Sequence, residues 1–307
     1  MRSSCTPSRR GLALAAALAM SILLPGVSDA GVSIPPVLVE RLFPARTLSL
    51  DGVEHRYRVF VPFGERPADG WPVILFLHGS GERGDDGLKP VLVGLGPAIA
   101  SAPSDFRFAV VFAQAPEGMT WSPPVERVAL AELEATIAEV GGDRKRLAVV
   151  GMSMGGNGAL RIAARHPQLF AALVSVCGFP TVPGREDLTE AESAAYHLGN
   201  PFASPVVGEG TPDSYAVVEA TGFSETFTRH DPFAAAAKAI ASLPVWLAHG
   251  TEDPVVPVAA SRRLARELRD RGAIFRLRLY WGVGHGVWDP AFAEHDLWTW
   301  LAAQKRP

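Results

Sequence analysis

The sequence predicts an α/β protein: a mostly parallel β-sheet with helices on both faces and an insertion after the sixth strand. Three observations support that expectation. Short β-rich runs alternate with helical patterns from Leu48 onward, the rhythm of parallel strands joined by crossover helices. The central runs, among them Val73-Ile74-Leu75-Phe76-Leu77, are apolar without alternation, as expected of strands buried on both faces. A chain of 307 residues, 48% hydrophobic and 20% charged, has the composition of a globular protein with a large core.

In chain order, residues 1–30 read as an address rather than as part of the fold. Arg2, Arg9 and Arg10 precede or open onto an apolar run from Leu12 to Leu24, and Ser28-Asp29-Ala30 sets small residues at the two positions a signal peptidase reads. The apolar run is shorter than the ~20 residues a spanning helix needs, so an export signal cleaved after Ala30 is expected in place of a stable membrane anchor. Arg9-Arg10 fits a twin-arginine signal as well as an ordinary secretory one. Residues 31–307 then form one α/β domain, periplasmic or extracellular. Cleavage removes Cys5 and leaves Cys177, which excludes an intrachain disulfide and a structural cysteine zinc site. At the end of the apolar run from Ala171 to Val176, a single thiol reads as a small buried hydrophobe.

Leu48 and Leu50 flank polar Ser49, and Tyr57-Arg58-Val59-Phe60-Val61 partly alternates. These two segments are expected as antiparallel strands at the sheet edge, turned by Asp51-Gly52. Val73 to Leu77 and Ala109 to Ala113 follow as buried strands. Leu130, Leu133, Ile137 and Val140 share a helical face, and Gly141-Gly142 ends that helix. Leu147 to Val150, Ala171 to Cys177 and Val245 to Ala248 continue the sheet, and Phe275 to Tyr280 closes it. The helix from Ala259 to Arg271 mixes Arg262, Arg263, Arg266, Arg269 and Arg271 with Glu267 and Asp270, a solvated face rather than a basic patch. Residues 179–231 are rich in Gly, Pro, Ser and acids and read as an insertion, either a cap over the site or a solvent-facing excursion. Within it, Thr189-Glu190-Ala191-Glu192 fits a capping box and Asp231-Pro232 a second helix start. A net charge of -3, with no basic stripe, argues against nucleic acid as a partner.

Gly151-Met152-Ser153-Met154-Gly155 lies between the strand ending at Val150 and a helical stretch through Leu160 and Ile162. Small residues around Ser153 let its backbone take up a strained turn and let the helix pack close to the sheet. A serine hydroxyl is a weak nucleophile at neutral pH, so it needs a histidine to take its proton and a carboxylate to hold that imidazole. Of the eight histidines, His285 in Gly282-Val283-Gly284-His285-Gly286 follows the last strand and is the expected general base. His166, before Pro167, is expected on the last carbonyls of its helix, and His230 at a local helix start; His55, His197 and His295 have no matching context. Asp253, in the loop after Val245 to Ala248, is the expected acid, ahead of Glu252 and Asp289. His78-Gly79-Ser80-Gly81 is the expected source of one oxyanion donor, the Ser80 N–H, with the Met154 N–H as the other. His78 and His249 then read as turn residues, and Glu82-Arg83 as an ion pair bracing the loop. Trp121 and Trp288 are expected either as apolar walls of the substrate site or as core packing.

At these residues the chain resembles the α/β-hydrolase superfamily. Leu77-His78-Gly79-Ser80-Gly81-Glu82-Arg83-Gly84, together with Gly151 to Gly156, looks like the secreted-esterase, polyhydroxybutyrate-depolymerase-like and prolyl-oligopeptidase-like branch. The chain order Ser153, Asp253, His285 is the order that fold uses. The resemblance implies Ser153 as nucleophile, Asp253 as acid, His285 as base, and Ser80 with Met154 as oxyanion donors. The insertion at 179–231 departs from the compact members of the branch. The expected activity is hydrolysis of a small-molecule or polymeric carboxylic ester through an acyl-enzyme, without metal or organic cofactor. A serine peptidase on the same fold and a non-catalytic binding protein are the alternatives.

Overall fold

The computed structural model describes residues 34–180 and 232–307. The export signal expected at 1–30 lies outside the described residues, as do Asp231, His197, His230, the Thr189 capping box and all of the expected insertion between Pro180 and Asp231.

Pro35-Pro36 opens helix α1 (Pro36–Leu42), since proline's fixed φ suits a first helical turn and its missing N–H is not needed there. β1 (Ala45–Leu50) and β2 (Val53–Phe60) form an antiparallel hairpin across Asp51-Gly52. Both turn residues have positive φ, 52° and 79°, which matches the right-handed twist of the flanking strands. β3 (Trp71–Leu77) is buried along its whole length, and helix α2 (Leu95–Ser101) leads to β4 (Ala109–Phe112), equally buried. Helix α3 (Pro123–Val140) stops where Gly141 turns left-handed, at φ 69°. β5 (Gly142–Met152) starts at the next residue, five earlier than the apolar run suggests, because Gly142 already pairs with Trp71. Then come α4 (Met154–Arg165), β6 (Ala172–Val176), α5 (Pro232–Ile240) and β7 (Val245–Gly250). The chain closes with α6 (Ala259–Asp270), β8 (Phe275–Tyr280), α7 (Trp288–Ala293) and α8 (His295–Ala302).

Among the described residues the strands form one eight-stranded sheet in the order β1-β2-β4-β3-β5-β6-β7-β8. β2 pairs antiparallel with both β1 and β4, and every pairing from β4 to β8 is parallel. The pleat divides β3 between two cores: Val73, Leu75 and Leu77 join the apolar stripes of α3, α4, α5 and α6, whereas Ile74 and Phe76 join those of α1, α2, α7 and α8. Helices therefore cover both faces, as the sequence predicts. No helix among the described residues is long and apolar enough to cross a membrane. Parallel pairing also brings the C-terminal ends of β3, β5, β7 and β8 to one edge of the sheet, where an open α/β sheet places its ligands.

Candidate active site

Ser153 is the residue after β5, with φ 53° and ψ -119°, a region few L-residues adopt. Two backbone bonds hold it: its N–H donates to the Val176 carbonyl at 2.9 Å, and its own carbonyl accepts the Asn157 N–H at 3.0 Å. Gly155 tolerates no side chain, since a Cβ there would collide with the Leu77 carbonyl oxygen. That close approach packs the start of α4 against the end of β3 and leaves Ser153 at the tip of the turn.

The loop after β8 carries His285, and the loop after β7 carries Asp253. Ser153 Oγ lies 2.9 Å from His285 Nε2, and His285 Nδ1 lies 2.8 Å from Asp253 Oδ2. The carboxylate accepts from Nδ1–H, which leaves Nε2 to accept the serine hydroxyl. The Asp253 side chain is buried, and its Oδ1 accepts the N–H groups of Val255 and Val256 at 2.8 and 2.9 Å. Burial pushes its carboxyl up, but donation from His249, His285 and the Val256 N–H outweighs burial and holds it well below the usual carboxylate range. Asp253, rather than Glu252 or Asp289, thus faces the imidazole.

The loop after β3 packs on the same turn, so closely that a Cβ on Gly79 would sit 3.6 Å from Ser153 Cβ. Ser80 opens a short 3-10 turn and Met154 opens α4. An N–H at the first position of a helix has no acceptor within that helix. His78 lies buried beneath the loop, its Nδ1–H donating to the Gly79 carbonyl at 2.6 Å while Nε2 accepts the Ala115 N–H at 2.9 Å. Burial keeps this ring neutral by lowering its pKa to about 4. The brace expected from a Glu82-Arg83 pair takes another form. Arg83 donates to the Met119 carbonyl at 2.6 Å and to Met154 Sδ at 3.1 Å, tying the loop to the start of α4. Gln114, unremarked in the sequence, adds a tie by donating to the Glu82 carbonyl at 2.9 Å and accepting the Gly87 N–H at 2.6 Å.

Trp121 belongs to the core and is no wall of the site. It is 1% exposed, its indole N–H donates to the His78 carbonyl at 3.1 Å, and a Cβ on Gly158 would come within 2.7 Å of its ring carbons. Trp288, by contrast, meets the His285 ring edge-on with centroids 5.3 Å apart. His166 also departs from expectation: its Nε2 bonds Glu126 Oε1 at 2.7 Å instead of capping carbonyls, because a buried carboxylate on α3 is the stronger acceptor. Two residues that read as bland in sequence sit beside the Asp253–His285 pair. Cys177, at φ 42° and fully buried, places Sγ 3.7 Å from the His285 carbonyl, and burial pushes its thiol up so that it stays protonated. His249 sets Nε2 3.3 Å from Asp253 Oδ2, and its spacing of four residues before the acid was the available signal.

Cys177, Asp253 and His285 bring a sulfur, a carboxylate oxygen and a ring nitrogen within 4.8 Å of one another. Asp253 Oδ2 and His285 Nδ1 already bond each other and the thiol keeps its proton, so these donors are committed to a hydrogen-bonded line.

Sheet, strained turn and the Ser153–His285–Asp253 line together define a serine hydrolase of the α/β-hydrolase fold. A family model described as the prolyl oligopeptidase family matches residues 129–303, more than half of the chain, and the protein belongs to that family. Among solved structures, a thermostable esterase is 26% identical with a TM-score of 0.62, over 88% of this chain and 64% of that one. Acylaminoacyl peptidase of Pyrococcus horikoshii is 18% identical with a TM-score of 0.59, over 88% of this chain and 44% of that one. The fluorophosphonate-binding serine hydrolase F of Staphylococcus aureus is 14% identical with a TM-score of 0.58, over 85% of this chain and 98% of that one. The last two likenesses are of fold alone, and the chain spans less than two thirds of the length of the first two. No curated protein gives a significant match.

Proposed function

We propose that the protein is an exported hydrolase of carboxylic esters that works through an acyl-enzyme on Ser153. The observation that carries this reading is the continuous line from Ser153 Oγ to His285, 2.9 Å, and from His285 to Asp253, 2.8 Å. Ser153 Oγ attacks the ester carbonyl carbon while His285 Nε2 takes the hydroxyl proton, and Asp253 orients the imidazole and stabilises its cation. The N–H groups of Ser80 and Met154 receive the developing oxyanion. His285 passes its proton to the departing alkoxide, which leaves as the alcohol. Water then gives a proton to His285 as its oxygen attacks the acyl carbon; collapse returns that proton to Ser153 Oγ and releases the carboxylic acid. None of these steps requires a metal or organic cofactor.

The ester reading is supported by the 26% identity to a thermostable esterase. Trp288 against His285 offers an apolar wall for a small-molecule or polymeric ester. A peptidase is the second reading, favoured by the family description. Export is supported by the Arg2, Arg9, Arg10 pattern, the apolar run and Ser28-Asp29-Ala30.

The test is to express the full chain and fractionate the cells, then assay p-nitrophenyl esters from acetyl to dodecanoyl beside peptide p-nitroanilides. Ester turnover in the periplasm or medium is expected, and Ser153→Ala is expected to lower it by at least about 1000-fold. Equal turnover in wild type and variant, or turnover of the anilides alone, would overturn the ester reading. Activity confined to the cytoplasm would overturn export.

A further inference from the structure

We infer that His249, backed by Ser261, is a positioning residue for the hydrolytic reaction, holding the loop that presents Asp253 to His285. The inference rests on the assignment of Asp253 and His285 above and goes beyond it by naming what sets the acid in place.

His249 is in β7 and has no exposed surface, so both ring nitrogens need partners within the protein. Nε2 lies 2.7 Å from the Val256 carbonyl and 3.3 Å from Asp253 Oδ2. Both are acceptors, so Nε2 carries the hydrogen. Nδ1, 2.7 Å from Ser261 Oγ, therefore accepts from that buried hydroxyl, which is fixed on α6. Val256 closes the circuit, because its N–H donates to Asp253 Oδ1 while its carbonyl accepts from His249.

A residue serving only as a turn needs none of this. Glu252, Pro254 and Val255 of the loop it clamps are exposed, Val255 at 46%, and the backbone N–H groups that hold Asp253 bond its Oδ1, leaving Oδ2 to His285 and His249. The imidazole ties that loop to β7 and α6 and directs an N–H at the oxygen that faces His285. Misplacing a catalytic group by about 1 Å costs on the order of 100-fold in rate, so a clamp on this loop acts on turnover rather than on substrate binding.

The test compares His249→Leu, which removes both ring partners, with His249→Gln, whose amide retains an N–H donor. Measured quantities are kcat, KM, Tm and the downfield proton resonance of His285 Nδ1–H. His249→Leu is expected to lower kcat about 10- to 100-fold with KM within about twofold, and to shift or broaden the resonance. His249→Gln is expected to recover most of both. A His249→Leu protein with lowered Tm but unchanged kcat and resonance, measured where it is folded, overturns the inference. If that variant does not fold, Ser261→Ala serves in its place. A several-fold fall in kcat at constant KM is expected there, and an unchanged kcat and resonance overturns the inference equally. The resonance reports the Asp253–His285 bond without substrate. A wild type that fails to turn over esters would therefore sink the ester reading while leaving the resonance comparison to judge His249.

Discussion

Glu132 on α3 is 1% exposed, and its Oε2 has no hydrogen-bond partner. Burial raises its carboxyl well above the ordinary value of 4.5. An acid raised in this way contributes its full stability below the unfolded value and loses it as pH climbs through the folded one. Glu132→Gln is therefore expected to stabilise the protein near neutral pH by about 1–3 kcal/mol, with the gain shrinking toward pH 4.5; calorimetry across that range checks it. At this scale the sequence is legible where a residue's neighbours in the chain explain it. Ser153 and His285 stand among glycines just past strand ends, and Asp253 follows a strand in the right order. Cys177 and His249 escape because their meaning comes from across the fold: Cys177 meets the His285 carbonyl, and His249 meets Ser261 on α6. Trp121 was ambiguous because nothing in the chain around it announces the contact with Gly158.

Among the elements, the turn from β5 into α4 depends on one missing side chain. A methyl group on Gly155 would displace the Leu77 carbonyl or push α4 off the sheet. Gly155→Ala is expected to cost on the order of 3 kcal/mol and to reduce the yield of folded protein, read by denaturant titration beside wild type. If it folded with wild-type stability, the close packing of α4 on β3 would be wrong. The buried parallel strands were legible because burial on both faces writes an unbroken apolar run, as in β3 and β4. Helices α1, α2, α7 and α8 are not legible in the sequence: each is eight residues or shorter, too brief for a 3.6-residue period to emerge from composition. The early start of β5 was hidden for another reason. Its first residues, Gly142 to Arg146, are mostly polar, and of them only Gly142 pairs with β3, opposite Trp71, before the register shifts to Val73 opposite Leu147.

For the molecule as a whole, acid acts through His78. Its pKa falls from 6.5 unfolded to about 4 folded, so its contribution is present above pH 6.5 and is lost as pH drops toward 4. The difference corresponds to about 3 kcal/mol, and Tm is expected to fall over that interval, less steeply in His78→Gln; a flat Tm in wild type would contradict a neutral, buried His78. Strand order also bears on how such a chain is made. β2 pairs with β4 and not with β3, so the β1-β2 hairpin leaves the ribosome before its place in the sheet exists. β3 emerges next and waits with it, its first partner still to be translated and its second, β5, later than α3. A strand that is buried along its whole length in the finished sheet is thus synthesised early and shielded late, and during that interval it is a segment a nascent-chain chaperone has reason to hold.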